Sequence, residues 1–84
     1  MSKETATRLF LDYIKDIFEE VEINQVDERE DGFLFHFTEK GDEFPVDYPV
    51  VFVNKSTGNI KELSYLNPED SKIILGESYG KEEP

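Results

Sequence analysis

The stretch that decides the fold is residues 48–65, YPVVFVNKSTGNIKELSY. A short apolar run ends at Val53, and a more polar run with alternating character begins at Ile60. Two such runs joined by a few polar residues are typical of a β-hairpin, whose loop needs one residue at positive φ. Gly58 can adopt positive φ without a steric penalty. We therefore predict a β-hairpin with Gly58 in its loop.

A helix and a strand are predicted at the start of the chain. Apolar residues recur there at the three- and four-residue spacing of one helix face. They are Ala6, Leu9, Phe10, Tyr13, Ile14, Ile17, Phe18 and Val21. Ser2 or Thr5 is a suitable N-cap for this helix. From Val21 the period changes to two, and Val26 falls out of phase, which predicts a strand with a bulge.

The middle of the chain predicts a turn, a second strand and a loop. The turn is residues 27–32, DEREDG, and the loop runs from Lys40 to Tyr48. Between them, Phe33, Phe35 and Phe37 alternate with polar or smaller residues, so we expect these three rings to face the helix. The almost continuously apolar strand at residues 50–53 is expected to be covered on both faces or to lie centrally in the sheet.

The last element is a short helix. Asn67 is a suitable N-cap, Pro68 fits the first helical position, and Gly76 is expected to stop the helix. The order of elements predicts an α+β fold: an N-terminal amphipathic helix packed on an antiparallel four-stranded meander, with a short C-terminal helix. Residues 1–79 are expected to form a single domain, and residues 80–84 a disordered tail.

The charge of the chain restricts its partners. Twenty acidic residues against nine basic residues give a formal net charge of −11. Nucleic acid and anionic membrane surfaces would be repelled, whereas a cationic protein partner would be attracted. The same acidity would also keep a small protein soluble, so the charge alone leaves its purpose open. No apolar run reaches about 18 residues and no signal peptide is recognisable, so we expect a cytoplasmic protein.

No group of residues indicates catalysis or a cofactor. His36 is the only histidine and cysteine is absent, so a transition-metal site is not expected, and we place His36 on the solvent face of its strand. Residues 27–32 fail as the start of a calcium loop because Arg29 and Thr38 stand at ligand positions. Glycine-rich phosphate loops are also absent from the sequence. We expect no enzyme activity, no cofactor and no metal.

Two acidic segments are the candidate partner-binding residues. They are Asp27, Glu28, Glu30 and Asp31 in the turn, with Asp42, Glu43, Phe44 and Asp47 in the loop. Their carboxylates would pair with lysine or arginine of the partner, and Phe44 would fill a pocket there. The alternative is that Phe44 folds back onto the core.

The order of motifs resembles that of the YrhB-like immunity proteins of bacterial polymorphic toxin systems. The matching residues are GFLFHF at 32–37 and YPVVFVNKSTGNI at 48–60, with an amphipathic helix before them and a short helix at 68–75 after them. The hairpin is also similar to that of PepSY-like domains. The first resemblance implies an immunity-type protein that neutralises a toxin or enzyme, and the second implies a peptidase inhibitor. Neither implies a catalytic residue.

One alternative of another class stays open. A sheet of this kind has two edge strands, and an edge strand can pair with a second chain. The protein could therefore be a homo-oligomeric structural domain, and the sequence does not decide between monomer and homodimer.

Overall fold

The computed structural model describes residues 1–45 and 48–75. The elements are α1 (Lys3–Ile14), β1 (Val21–Glu28), β2 (Gly32–Glu39), β3 (Val50–Asn54), β4 (Ile60–Leu63) and α2 (Pro68–Leu75). The strands are neighbours in the order β1-β2-β3-β4, and each neighbouring pair is antiparallel. The predicted α+β meander with a helix at either end is confirmed. The predicted helix stop at Gly76 and the predicted tail at 80–84 lie outside the described residues.

The helix α1 begins as predicted but ends earlier than its apolar stripe. The side chain of Ser2 caps it by accepting a hydrogen bond of 3.1 Å from the backbone N–H of Thr5. After Ile14, the backbone N–H groups of Ile17 and Phe18 both donate to its carbonyl at 2.9 Å, which makes a tight turn. The prediction that the helical face continues to Val21 is wrong, because Val21 is already the first residue of β1.

The main core lies between α1 and the sheet. Its buried members are Ala6, Phe10, Ile14, Phe33, Phe35, Phe37, Val51 and Val53. The rings of Phe10 and Phe35 stack with their centroids 4.7 Å apart. The three alternating rings of β2 therefore face α1, as predicted, and they supply most of the aromatic surface of this core.

A smaller core lies on the opposite face of the sheet. Leu34, Val50, Leu63 and Ile74 are buried there, and Ile74 belongs to α2. Val50 of β3 belongs to this cluster, whereas Val51 and Val53 belong to the main core. The prediction that β3 is covered on both faces is confirmed.

Two local predictions about the strands are also confirmed. The pairing of β1 with β2 shifts register between Ile23 and Gln25, which is the bulge expected near Val26. Gly58 has φ of 77° in the β3–β4 hairpin. The side chain of Asn54 closes the same loop by accepting hydrogen bonds from the backbone N–H groups of Ser56 at 2.8 Å and Thr57 at 3.0 Å.

The helix α2 is held at both ends by side chains. Asn67 caps its start by accepting from the backbone N–H of Glu69 at 2.9 Å. Near its end, the guanidinium of Arg29 donates to the carbonyls of Ile73 at 2.9 Å and Ile74 at 2.7 Å. A cation at the C-terminal carbonyls also interacts favourably with the negative end of the helix dipole. Arg29 therefore ties the β1–β2 turn to α2.

Within the described residues, neither helix combines the length and apolar character needed to cross a membrane.

Candidate functional site

The two predicted contact segments lie at opposite ends of β2. The acidic turn precedes Gly32, where β2 begins, and the acidic loop follows Glu39, where β2 ends. A strand rises about 3.3 Å per residue, so the two segments are roughly 20–25 Å apart. The structure therefore shows two separate acidic surfaces. The predicted contact residue Asp47 lies outside the described residues.

The prediction of a turn over residues 27–32 is wrong at both ends, because strand pairing extends β1 to Glu28 and begins β2 at Gly32. Asp27, a residue of β1, is engaged within the chain. Its carboxylate lies 3.1 Å from Nε2 of His36, accepts a 2.6 Å hydrogen bond from Gln25 and is 3.9 Å from the guanidinium of Arg29. Burial opposes ionisation of Asp27, but the hydrogen bonds from Gln25 and His36 and the charge of Arg29 outweigh it, so the pKa of Asp27 is lowered. This carboxylate joins β1 to β2.

His36 is less accessible than the sequence predicts. It lies on the face of β2 away from α1, as predicted, but its side chain is only 21% exposed because it packs against Asp27. A histidine beside a carboxylate is a common catalytic pair. Here the Asp27 side chain is 28% exposed, and its carboxylate also accepts a hydrogen bond from Gln25 and lies near the guanidinium of Arg29. Contacts of this kind connect β1 to β2 structurally.

Glu28 is also engaged within the chain, through Lys55 of the β3–β4 loop. The ammonium of Lys55 is 2.9 Å from the Glu28 carboxylate and 5.1 Å from the centre of the Phe33 ring. The hydrogen bond and charge of Lys55 lower the pKa of Glu28. At this end of the sheet, Glu30 and Asp31 remain exposed, and no salt bridge between described residues engages either of them.

At the loop, Phe44 is presented to solvent. Its side chain is 81% exposed, so the alternative in which Phe44 folds back onto the core is wrong. The carboxylate of Asp42 accepts hydrogen bonds from the backbone N–H of Phe44 at 3.0 Å and from the hydroxyl of Tyr48 at 2.5 Å. The Tyr48 ring packs against Phe37, with centroids 5.6 Å apart. Asp42 therefore links the exposed part of the loop to a residue that is anchored on the core.

A groove opens beside this loop and was not foreseen from the sequence. It encloses about 560 Å³ between the loop and the connection from β4 to α2. The lining residues are Thr38, Pro45, Tyr48, Pro49, Glu62, Ser64, Tyr65 and Leu66. Leu66 is 86% exposed and Tyr65 is 52% exposed. The groove therefore offers an apolar, aromatic surface next to the acidic loop.

Among the described residues that line the groove, Glu62 is the charged one, and its carboxylate is hydrogen-bonded to a residue of α1. The hydroxyl of Tyr13 donates a hydrogen bond to its carboxylate, and this bond, with burial and the negative charge, raises the pKa of Tyr13. The pKa of Tyr48 is raised in the same way by its hydrogen bond to Asp42, with a contribution from burial. The carboxylates of Glu62 and Asp42 thus each accept a hydrogen bond from a tyrosine hydroxyl group.

The described residues offer no obvious centre for metal chemistry, because none of their histidine, aspartate and glutamate side chains form a cluster that could hold a metal ion. What the two acidic surfaces and the groove can do is bind: carboxylates recognise cations, and exposed aromatic residues recognise apolar or cationic groups. No protein-family model, curated protein or solved structure matches this chain. The function is therefore argued from these surfaces.

Proposed function

We propose that this protein is a non-enzymatic, acidic protein-binding module of the immunity or inhibitor type, which neutralises a cationic toxin or enzyme in the cytoplasm. The observation that carries the proposal is the position of Phe44, which is 81% exposed on a loop between acidic residues and Pro45. Large aromatic residues surrounded by polar groups are frequent anchors of protein interfaces. Burial of Phe44 in a partner would remove this ring from water.

The distribution of charge supports the same proposal. Ion pairs between described residues engage only Asp12, Asp27 and Glu28 among the acidic side chains. Asp42 and Glu43 make no such pair with a described residue, so the loop is left with negative charge beside Phe44. Complementary charge accelerates association and excludes partners of the wrong sign. The resemblance to immunity proteins favours a toxin as the partner.

The test is the rate of association with the native partner, identified as the product of a neighbouring gene that co-purifies with the protein. We expect the D42K/E43K variant to associate about tenfold more slowly at low salt and to show a flatter salt dependence. We expect F44A to leave the association rate unchanged and to dissociate about tenfold faster, because an interface anchor acts mainly on dissociation. Stopped-flow kinetics at several salt concentrations measure both.

Two further charge reversals make this test specific. E30K/D31K reverses the two exposed acids of the turn, and it shows whether that end of the sheet also contacts the partner. D16K/E22K alters two exposed residues outside both segments and changes the net charge by the same amount. Equal slowing of association by all three variants would show that the effect comes from net charge alone. Unchanged rates for both D42K/E43K and E30K/D31K would contradict the proposal, and so would a stable homo-oligomer that buries Phe44 without a partner.

A further inference from the structure

We propose that the groove lined by Tyr48, Glu62, Tyr65 and Leu66 is the docking site for a segment of the partner in which an arginine or lysine lies next to a large apolar side chain. The inference rests on the proposed function and adds to it the surface that binds and the chemistry of what is bound. The groove has about 560 Å³ of space, enough for one or two side chains of that kind.

Tyr65 and Leu66 supply the apolar part of the groove. Leu66 directly precedes the N-cap Asn67, a position from which an apolar residue often packs on the fourth residue of the helix. In α2 that fourth residue is Ser71, which offers no apolar surface, and Leu66 is left 86% exposed. Within the described part of the chain, Leu66 therefore does not pack on α2, and its side chain is available to cover an apolar group in the groove.

The charge of the groove is negative. Glu62 lies in its lining, and the lining residue Tyr48 donates a hydrogen bond to the carboxylate of Asp42. Neither lysine nor arginine occurs among the described residues that line the groove. A cation that enters would meet a carboxylate together with the rings of Tyr48 and Tyr65, and both carboxylates and ring faces attract cations. An arginine with an apolar neighbour matches both the apolar and the charged part of this surface.

The same charge argues against the other occupants. A second copy of the chain would bring another net charge of −11 and the same carboxylates to the contact. Anionic lipid and nucleic acid would be repelled in the same way. A cationic protein segment is the occupant whose charge complements the groove.

The groove is also preorganised for binding. Tyr48 is held by Asp42 and by the rings of Phe18 and Phe37, whose centroids lie 5.7 and 5.6 Å from its own. Glu62 is held by the hydroxyl of Tyr13. Groups that are fixed before binding lose less entropy when the ligand arrives.

The experiment is an NMR titration of the full ¹⁵N-labelled chain with three capped synthetic peptides at low salt. The first alternates arginine and leucine, the second has glutamate in place of arginine, and the third has alanine in place of leucine. We expect the first to shift the amide signals of Tyr48, Glu62 and Leu66 in a saturable manner. We expect the second not to bind and the third to bind about tenfold more weakly, since it lacks the apolar anchor.

Variants connect the binding to the groove. L66S and E62Q change exposed side chains, and each should weaken binding of the first peptide about tenfold. I17S, which removes an apolar side chain that is 50% exposed on the connection between α1 and β1, should bind like the wild type. Circular dichroism of each variant checks that the fold is kept.

The outcomes separate this inference from the proposed function. Saturable binding of the first peptide at the Glu30–Asp31 turn, with the groove unaffected, would overturn the docking site and leave an acidic binding module. Equal weakening by I17S and L66S, or a dimer that L66S abolishes, would also overturn it. If the first peptide binds nowhere, the docking site is again overturned. The proposed function, by contrast, fails only if the charge reversals leave the association rate with the native partner unchanged.

Discussion

Gly32 stands where the β1–β2 turn enters β2, and its surroundings leave no room for a side chain. A Cβ atom at this position would lie 2.4 Å from the carbonyl oxygen of Val53 and 2.5 Å from the ring of Phe52. The backbone of Gly32 therefore approaches β3 more closely than any other residue type would allow. Such close contact between backbones is a well-known reason for a glycine in a strand.

We predict that G32A lowers the free energy of unfolding by at least about 2 kcal/mol, because the added methyl group must displace backbone or ring atoms in a packed core. The matched variant is G41A. Gly41 has φ of 86°, and a Cβ atom added there would have no described atom within 4 Å, so G41A should lose only about 1 kcal/mol from backbone strain. Urea denaturation measures both. A smaller loss for G32A than for G41A would show that β3 can move away.

Asp27 gives the fold a pH dependence. Its pKa in the folded protein lies below the ordinary value of 3.8. A lowered pKa means that the ionised carboxylate stabilises the folded state, fully above about pH 4, and that this stabilisation is lost as the pH falls through the folded-state pKa.

We predict that D27N is less stable than the wild type at neutral pH, because the amide cannot attract Arg29 or His36 as the carboxylate does. The difference should shrink as the pH falls below about 4, since protonation then removes the same charge from the wild type. Urea denaturation across the range from neutral to strongly acidic pH measures it. A difference that is constant over this range would contradict the assigned role of the carboxylate.

Among the elements, α2 depends most clearly on one distant residue. Arg29 donates to two carbonyls of its last turn, and within the described chain α2 otherwise contributes only Ile74 to the buried core. We predict that R29A lowers the free energy of unfolding by about 1–2 kcal/mol and increases hydrogen exchange in α2 before the rest of the chain. R8A removes an exposed arginine of α1 and should have little effect. Equal protection of α2 in both variants would show that Arg29 is dispensable.

The elements show how far the sequence predicts the structure. The hairpin at Gly58 and the cap at Asn67 are fixed by local chemistry, so both were predicted correctly. The end of α1 was not, because Ile17, Phe18 and Val21 continue the helical spacing while serving a turn and a strand. Pairing of Val21 with Glu39 decides that boundary, and such pairing cannot be read from one segment.

The candidate site could likewise be predicted from the sequence only in part. Phe44 among acidic residues is a local signal, and the sequence was enough to single it out. The groove is a property of the fold, because the β3–β4 hairpin brings Tyr48 and Leu66 to the same end of the sheet. The engagement of Glu28 by Lys55 is also a product of the fold, and residues 27 and 28 therefore looked more available in the sequence than they are.

For the molecule as a whole, the net charge of −11 destabilises the folded state, because like charges repel one another. We predict that sodium chloride raises Tm, most steeply up to about 0.15 M, where the screening length falls to about 8 Å. An increase of about 1 kcal/mol in the free energy of unfolding corresponds to a rise in Tm of about 4–8 °C for a domain of this size. D42K/E43K carries less repulsion and should show a smaller rise. Differential scanning calorimetry measures it, and identical slopes for the two proteins would rule out self-repulsion as the cause.

The division of the buried residues into two clusters has a consequence during synthesis. A nascent chain leaves the ribosome N-terminus first, so Val53 completes the cluster under α1 well before Ile74 completes the other one. A chain that lacks α2 would therefore leave Leu34, Val50 and Leu63 as an uncovered apolar surface on the sheet, open to chaperones or to aggregation.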